Sequence, residues 1–316
     1  MRWSLNPLGR TGLRVSPVTL GGAPLGSMPE NFGYTVAEQD AIDLVCAVLD
    51  SDIRTIDTSN GYSAGRSEER IGRALAAYGG LPEDALVITK VDAAGTDYSG
   101  ARVRASLEES SARLGIAPLP VVHLHDPEFH DFDMMTQKGG AIDALVAARE
   151  AGEIGHLGLA GGDVHTMAQY VELGVFEVLL VHNRWTLVDR SAGDLISRAT
   201  GLGMAVVNAA VLGGGILADE SGTISQYGYR AASEQTLTAI REMREVCRRW
   251  DTDLATAAIR FSTRDPRFAT TIVGISKIPR IESTIQAATV ELPDEFWSEL
   301  ESLVPASHNW LDAVTA

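Results

Sequence analysis

The stretch Arg54-Thr55-Ile56-Asp57-Thr58-Ser59-Asn60-Gly61-Tyr62-Ser63-Ala64-Gly65-Arg66-Ser67-Glu68-Glu69-Arg70-Ile71-Gly72 sets the fold of the 316-residue chain. Ile53 and Ile56 begin it as a short apolar strand, and Ser59-Asn60-Gly61 breaks it into a polar loop. Ser67, followed by Glu68 and Glu69, reads as an N-cap with acids in the first helical turn. Strand, loop and helix in that order form the repeating unit of α/β proteins. Here the unit places a carboxylate, Asp57, at a strand end and a phenol, Tyr62, on the loop. Taken alone, the pattern also describes a surface loop with a helix-capping Asp, so the flanking chain has to decide.

Before this stretch, residues 3–8 and 13–15 form the arms of a small hairpin turned by Gly9-Arg10-Thr11-Gly12. Residues 18–24 are a strand ending in glycines, and 36–51 a helix with Ala41, Leu44, Val45 and Val48 on one face. After it the alternation continues. Helices are expected at 67–78, from Ser99 or Gly100 to 114, at 140–151 and 164–173, within 187–202, and at 233–250 and 254–263. Strands are expected at 86–90, at 119–127 (stopped by Pro127), and at 154–160, 176–181, 204–210 and 269–273. The glycine-rich loop Gly213-Gly214-Gly215 opens a longer excursion, residues 292–304 are amphipathic, and the tail with His308 and Trp310 has no regular pattern. Eight short apolar strands alternating with helices predict an α/β fold, a (β/α)8 TIM barrel with an N-terminal hairpin and extra C-terminal helices, as one domain over 1–316. A doubly wound sheet fits less well, because no G-x-G-x-x-G follows the first long strand. Gly21 to Gly26 has a P-loop-like glycine spacing but lacks the Gly-Lys-Ser/Thr ending.

The formal charge of −16 argues against a nucleic-acid partner, whose affinity comes largely from Lys and Arg neutralising phosphates. Cys46 and Cys247 lack metal-type spacing and predict a reduced, cytoplasmic protein. Met1 to Pro7 lacks the apolar core of a signal peptide, and no apolar run approaches the roughly 20 residues a membrane span requires.

In a parallel barrel the C-terminal strand ends share one face, where active sites sit. Asp57 closes strand two, Lys90 strand three and His125 strand four, with Tyr62 on the loop after Asp57. Individually, Lys90 could be a solvated strand end and His125 a turn residue before Asp126-Pro127. Together they form a device. An ammonium held by Asp57 is expected to stabilise a phenolate and lower the Tyr62 pKa, giving a group able to move a proton near neutral pH. His125 is placed to hydrogen-bond the same substrate oxygen. His123, on the same side of the strand but deeper, reads as packing.

These pieces resemble the aldo-keto reductases over nearly the whole chain. The resemblance rests on Leu8-Gly9-Arg10-Thr11-Gly12-Leu13-Arg14-Val15-Ser16, on Asp57 to Tyr62 leading into Ser67 to Gly72, and on Ile88-Thr89-Lys90. It continues through Ser106 to Ser110 with Arg113-Leu114-Gly115, then His125-Asp126-Pro127, and Gly152-Glu153-Ile154 followed by Leu157-Gly158-Leu159. It implies a catalytic tetrad of Asp57, Tyr62, Lys90 and His125, NADP or NAD as cofactor, oxidation or reduction of a carbonyl/alcohol pair without metal, and Tyr62 as proton carrier.

On the cofactor side the resemblance implies contacts from Gly22, Ala23, Asp57, His182, Ala210, Leu212, Gly214, Gly274, Ser276, Lys277, Arg280 and Thr284. Several positions depart from the family pattern. Ala160-Gly161 stands for the usual Ser-Asn, His182 for a glutamine, Ala209 or its neighbour for a stacking aromatic, and Ser283-Thr284 for Glu-Asn. Gly274-Ile275-Ser276-Lys277 and Arg280 open a helix that suits phosphate. By the resemblance, Lys277 and Arg280 lie near the adenosine 2′-position, which suggests that NADP can bind, while Ser283-Thr284 leaves the choice between NAD and NADP open.

The departures, with residues 21–26 and Asn183-Arg184-Trp185-Thr186-Leu187, are similar to the sugar-dehydrogenase branch that holds D-threo-aldose 1-dehydrogenase and L-fucose dehydrogenase. That branch implies oxidation of C1 of an aldose to a lactone, or the reverse carbonyl reduction. Trp185, with Trp310, is expected as an apolar wall for the substrate beside Tyr62 and His125. Alternatives are a broad aldehyde/ketone reductase, a lyase using Lys90 as a Schiff base, and a non-catalytic nucleotide sensor. The expected partners are a sugar or aldehyde, with neither nucleic acid nor membrane, in a monomer or small homo-oligomer. Specificity is expected in the loops 126–138 and 221–230.

Overall fold

The computed structural model describes residues 3–29 and 33–313. The expectation for Met1 and Arg2, and for the last residues of the 1–316 span, lies outside the described residues. Eight parallel strands close into a barrel: β1 (Val18–Gly21), β2 (Thr55–Asp57), β3 (Leu86–Val91), β4 (Leu119–His125), β5 (Ile154–Gly161), β6 (Val178–His182), β7 (Ala205–Ala209) and β8 (Phe268–Gly274), with β8 pairing β1. The helices that return the chain are α1 (Glu38–Asp50), α2 (Arg66–Tyr78), α3 (Gly100–Leu114), α4 (Ala141–Glu150), α5 (Val164–Val171), α6 (Gly193–Gly201), α7 (Leu254–Thr263) and α8 (Pro279–Thr289). Extra helices are Phe132–Thr136 after β4, Glu234–Arg249 after β7, and Asp294–Glu301 near the C-terminus.

The period-2 alternation of strands explains both cores. Outward residues such as Ile56, Val87, Val122, Leu157, Leu179 and Val206 bury against helix stripes that include Leu44, Ile71, Val103 and Leu145. Inward residues form a separate interior cluster of Leu86, Ile88, Val121, Ala160, Leu180, Val207 and Ile272. Leu8 and Val15 join that interior from the hairpin (Asn6–Pro7 with Arg14–Val15), which closes the N-terminal end. The hairpin approaches closely: a Cβ on Gly9, whose φ is +56°, would lie 2.8 Å from the Ala205 nitrogen.

Stagger between strands carries the inward rows to the opposite rim. Asp57 pairs in register with Ile88 and Lys90 with His123. Asp57, Lys90 and His125 are therefore the last inward positions of β2, β3 and β4, stepping round the barrel.

The start of α2 differs from expectation. Its N-cap is Gly65 in the left-handed region, after Ser63 and Ala64 with φ of 55° and 54°. Ser67 lies inside the first turn, where its hydroxyl donates to the Gly22 carbonyl (2.8 Å) and meets Thr58 Oγ1 at 2.9 Å. Glu68 is fully buried and accepts from Thr89 Oγ1 (2.6 Å) and Arg113 Nη1 (3.2 Å), so it ties α2 to β3 and α3. α6 falls inside the expected span of 187–202 and begins at Gly193, after a loop in which Thr186 bridges Asp189.

Candidate active site

β2 ends at Asp57, β3 carries Lys90 to the rim, and a tight turn after β2 returns Tyr62 over both. Lys90 Nζ lies 2.6 Å from Asp57 Oδ1, 2.7 Å from the Thr58 carbonyl and 3.2 Å from Tyr62 Oη. These three oxygens use the three donors of the ammonium. Lys90 is 1% exposed and Asp57 3%, so the pair is held in a low-dielectric site. Burial would lower the Lys90 pKa, but Asp57 and Tyr62 outweigh it and hold the ammonium above its ordinary range. Burial pushes the Asp57 carboxyl up, opposed by Lys90. With one ammonium proton for each of the three oxygens, the ion pair is the form that satisfies every partner.

Tyr62 corrects one expectation. Lys90 does pull its phenol down, but burial is larger and raises the pKa above the ordinary value, with Asp57 adding to the rise. The phenol is thus a neutral O–H, 5.6 Å edge-to-face from the His125 ring.

His125 is held from its other side. Its Nδ1 lies 2.6 Å from Asp92 Oδ1 and 3.1 Å from Ser59 Oγ, and Asp92 Oδ2 accepts from the Gly61 N–H at 2.6 Å and from Ser59 Oγ. Burial lowers the His125 pKa, but Asp92 and Asp126 prevail and raise it. Tyr98, buried beneath, donates to the Val91 carbonyl (2.6 Å) and accepts from the His125 N–H (3.0 Å), fixing the β4 end against the β3 loop. His123 packs deeper as expected, its ring held neutral by burial with a pKa down to about 3.

A cavity of about 310 Å³ opens above these groups. Asp57, Tyr62, Lys90, His125, Asp126 and His182 line it, with Gly22, Ala23, Ala210 and Gly274 around the rim. Pro24, Met28, Leu180 and Ile272 supply apolar wall, and Tyr229 reaches in from the loop after β7. The loops expected to set specificity thus reach the cavity through Asp126 and Tyr229.

The model of the Aldo/keto reductase family matches residues 17–305. The chain belongs to this family. Pyridoxal 4-dehydrogenase of Microbacterium luteolum is 29% identical, over 93% of this chain and 96% of that protein. L-galactose dehydrogenase of Arabidopsis thaliana is 29% identical, over 96% and 95%. D-threo-aldose 1-dehydrogenase of a Pseudomonas species is 26% identical, over 92% and 94%. Among solved structures, the holo form of an aldo-keto reductase from Bacillus halodurans superposes with a TM-score of 0.77, covering 96% of each chain at 20% identity, which bears on the fold. As an aldo/keto reductase, the chain is an NAD(P)-dependent oxidoreductase acting on alcohol and carbonyl groups.

The residues present suit a dinucleotide. A second cavity, of about 890 Å³, is lined by Gly274, Ser276, Lys277 and Arg280 together with the segment after β1, and Gly274 also lines the catalytic cavity. Lys277 and Arg280 are exposed at the start of α8, and among the described residues neither is ion-paired, which leaves their charge for an anion. Gly22 is required by close approach, since a Cβ there would lie 2.6 Å from the Asp57 carbonyl.

Five expected positions in this aldo/keto reductase line neither cavity among the described residues. Leu212 packs into the apolar clusters, as an aliphatic side chain there should. Gly214 has a left-handed backbone, φ 76°, but lies outside both cavities. Thr284 is 2% exposed on the inward face of α8 with Ile281 and Ala288. Trp185 stacks on Phe261 (6.2 Å) with the Arg267 guanidinium 4.4 Å over its ring, so it belongs to packing. Trp310 lines a separate cleft with Val164 and Asp312. Sequence reasoning missed Ser59, Asp92 and Tyr98; Asp126 and Tyr229 fell within the loops expected to set specificity, without a role of their own. Only Asp126, adjoining His125, carried a signal by position.

Proposed function

We propose that this aldo/keto reductase oxidises C1 of an aldose to a lactone, with NADP or NAD, and runs the reverse carbonyl reduction. The carrying observation is Lys90 Nζ set between Asp57 Oδ1 and Tyr62 Oη at 2.6 and 3.2 Å. In oxidation the C1 hydroxyl gives up its proton and C1 gives up a hydride. When bound, the nicotinamide supplies the hydride acceptor, or its donor in reverse. In reduction Tyr62 gives its proton to the substrate oxygen and leaves a phenolate that Lys90 stabilises; in oxidation that phenolate takes the hydroxyl proton, and His125 orients the oxygen. Asp126 and His182 offer polar partners for further hydroxyls, while Pro24, Met28, Leu180 and Ile272 suit a C–H face. The names of the L-galactose and D-threo-aldose relatives support the sugar reading. Lys277 and Arg280 favour NADP by matching an extra phosphate. Two free cysteines suit a reducing compartment.

A broad aldehyde reductase is the second reading, favoured by the apolar part of the cavity wall. The Schiff-base alternative fares worse, because that chemistry needs a neutral amine and Asp57 holds Lys90 charged. The test follows reduced-nicotinamide absorbance with NAD and NADP against L-fucose, D-arabinose, L-galactose and simple aldehydes. Sugar-dependent nucleotide reduction with lactone as product supports the proposal. Turnover of aldehydes alone selects the second reading.

A further inference from the structure

The Asp92 carboxylate stands behind the His125 ring in a closed hydrogen-bond pattern. Each partner of His125 Nδ1 is an acceptor. Asp92 Oδ1, at 2.6 Å, has no proton to give. Ser59 Oγ, at 3.1 Å, spends its proton on Asp92 Oδ2, which also accepts the Gly61 N–H. His125 Nδ1 therefore carries the ring hydrogen in every protonation state. The remaining nitrogen, Nε2, lies 3.7 Å from Asp126 Oδ1, on a residue that lines the catalytic cavity. His182, across the same carboxylate, has the opposite arrangement. Its Nδ1 accepts from Asn183 Nδ2 at 3.2 Å, so its Nε2–H points to Asp126 Oδ1 at 3.6 Å.

We propose that Asp92 is a positioning residue that fixes the His125 hydrogen on Nδ1, so that Nε2 donates to the substrate oxygen only as imidazolium and accepts from it when neutral. The role in turnover rests on the reading under Proposed function; the hydrogen placement does not. A carbonyl oxygen needs a donor, so reduction uses the imidazolium. In oxidation the hydroxyl proton goes to Tyr62, and by microscopic reversibility the same imidazolium Nε2–H stays on that oxygen through the shared transition state. Loss of the His125 proton thereby removes that donor, so reduction declines at high pH.

The groups facing His125 set where that proton is lost. Asp92, after β3, and Asp126, beyond β4, favour the imidazolium. Lys90 on β3 opposes it; Tyr62 and Asp57 face it from the β2 side. His123 on its own strand stays neutral. The carboxylates prevail, so the loss lies above the ordinary histidine value of about 6.5.

In Asp92→Asn the amide oxygen should keep the Gly61 N–H and Ser59 hydroxyl, turning its NH2 toward His125 Nδ1. The ring hydrogen then moves to Nε2, the tautomer change known for the analogous Asp→Asn substitution in serine proteases.

The experiment is a 15N NMR titration of the imidazole nitrogens in the full-length wild type and in Asp92→Asn, with His125→Gln to assign the signals. Alongside it, pH profiles of kcat/KM are recorded in both directions. The wild type should show its neutral ring protonated on Nδ1. Asp92→Asn should show Nε2–H and an ionisation lowered by about 1–3 pH units, and its reduction should lose the decline at high pH. A neutral wild-type ring protonated on Nε2, or an ionisation unmoved in Asp92→Asn, overturns the proposal. The wild-type spectrum alone decides the hydrogen placement should the variant fail to fold. If the nitrogens behave as stated while no nucleotide-dependent turnover is found, the placement stands and the functional reading fails.

Discussion

Lys90 and Asp57 form an ion pair of 2.6 Å with only 2% and 5% of their side chains exposed. A pair so far from water contributes less through mutual attraction than it costs to break, because the surviving charge has no solvent to turn to. Lys90→Met should therefore destabilise the fold by about 3–5 kcal/mol. The double variant Asp57→Asn/Lys90→Met should recover much of that loss while remaining inactive. Urea unfolding of the three proteins checks this; a single variant as stable as wild type would mean that Asp57 is neutral.

His123 gives a stability prediction with a definite sign. Its folded pKa is about 3, whereas an unfolded histidine titrates near 6.5, so the unfolded chain binds the extra proton between these values. The contribution is fully present above about pH 6.5 and declines as pH falls toward 3, by an amount on the order of a few kcal/mol. His123→Gln should flatten the acid side of the stability–pH curve. An unchanged slope between pH 6.5 and 4 in denaturant titrations counts against a neutral buried ring.

The same ring limits its neighbour. A Cβ on Gly158 would lie 2.2 Å from His123 Nδ1. Gly158→Ala should cost about 1–3 kcal/mol by overpacking, read as a lowered melting temperature. A neutral result would show that the ring can swing aside.

Much of this was legible in the chain. Periodicity located the strands because each has one face in the barrel interior and one against a helix. Asp57, Lys90 and His125 stood out because each is polar at the end of an apolar strand, Lys90 one residue before the last. Ser67-Glu68-Glu69 misled because it has the local chemistry of an N-cap; only the Gly22 carbonyl, Thr89 and Arg113, distant in sequence, show that Ser67 and Glu68 serve tertiary contacts. Asp92 and Tyr229 lie on loops, where no period marks the side that faces the site. Trp185 had an aromatic's ambiguity between pocket and core, settled by Phe261 and Arg267. The Tyr62 pKa went the other way because a sequence shows the lysine but not the depth of burial.

Cofactor preference should follow Lys277 and Arg280. Replacing either with Ala should weaken NADP by about 10- to 100-fold, in keeping with roughly 1.5–3 kcal/mol for a charged hydrogen bond, while NAD binding changes little. Calorimetric titration of both nucleotides distinguishes this from equal losses, which would place the two cations at the shared pyrophosphate.

The most direct test is Tyr62→Phe, which removes one hydroxyl beside Lys90 and leaves the ring. Turnover of sugars and aldehydes should fall by at least about 100-fold, within the range for a general acid–base group, while nucleotide affinity by fluorescence titration stays at the wild-type value. Turnover within a few-fold of wild type would contradict the account, because no other assignment here gives the proton a carrier.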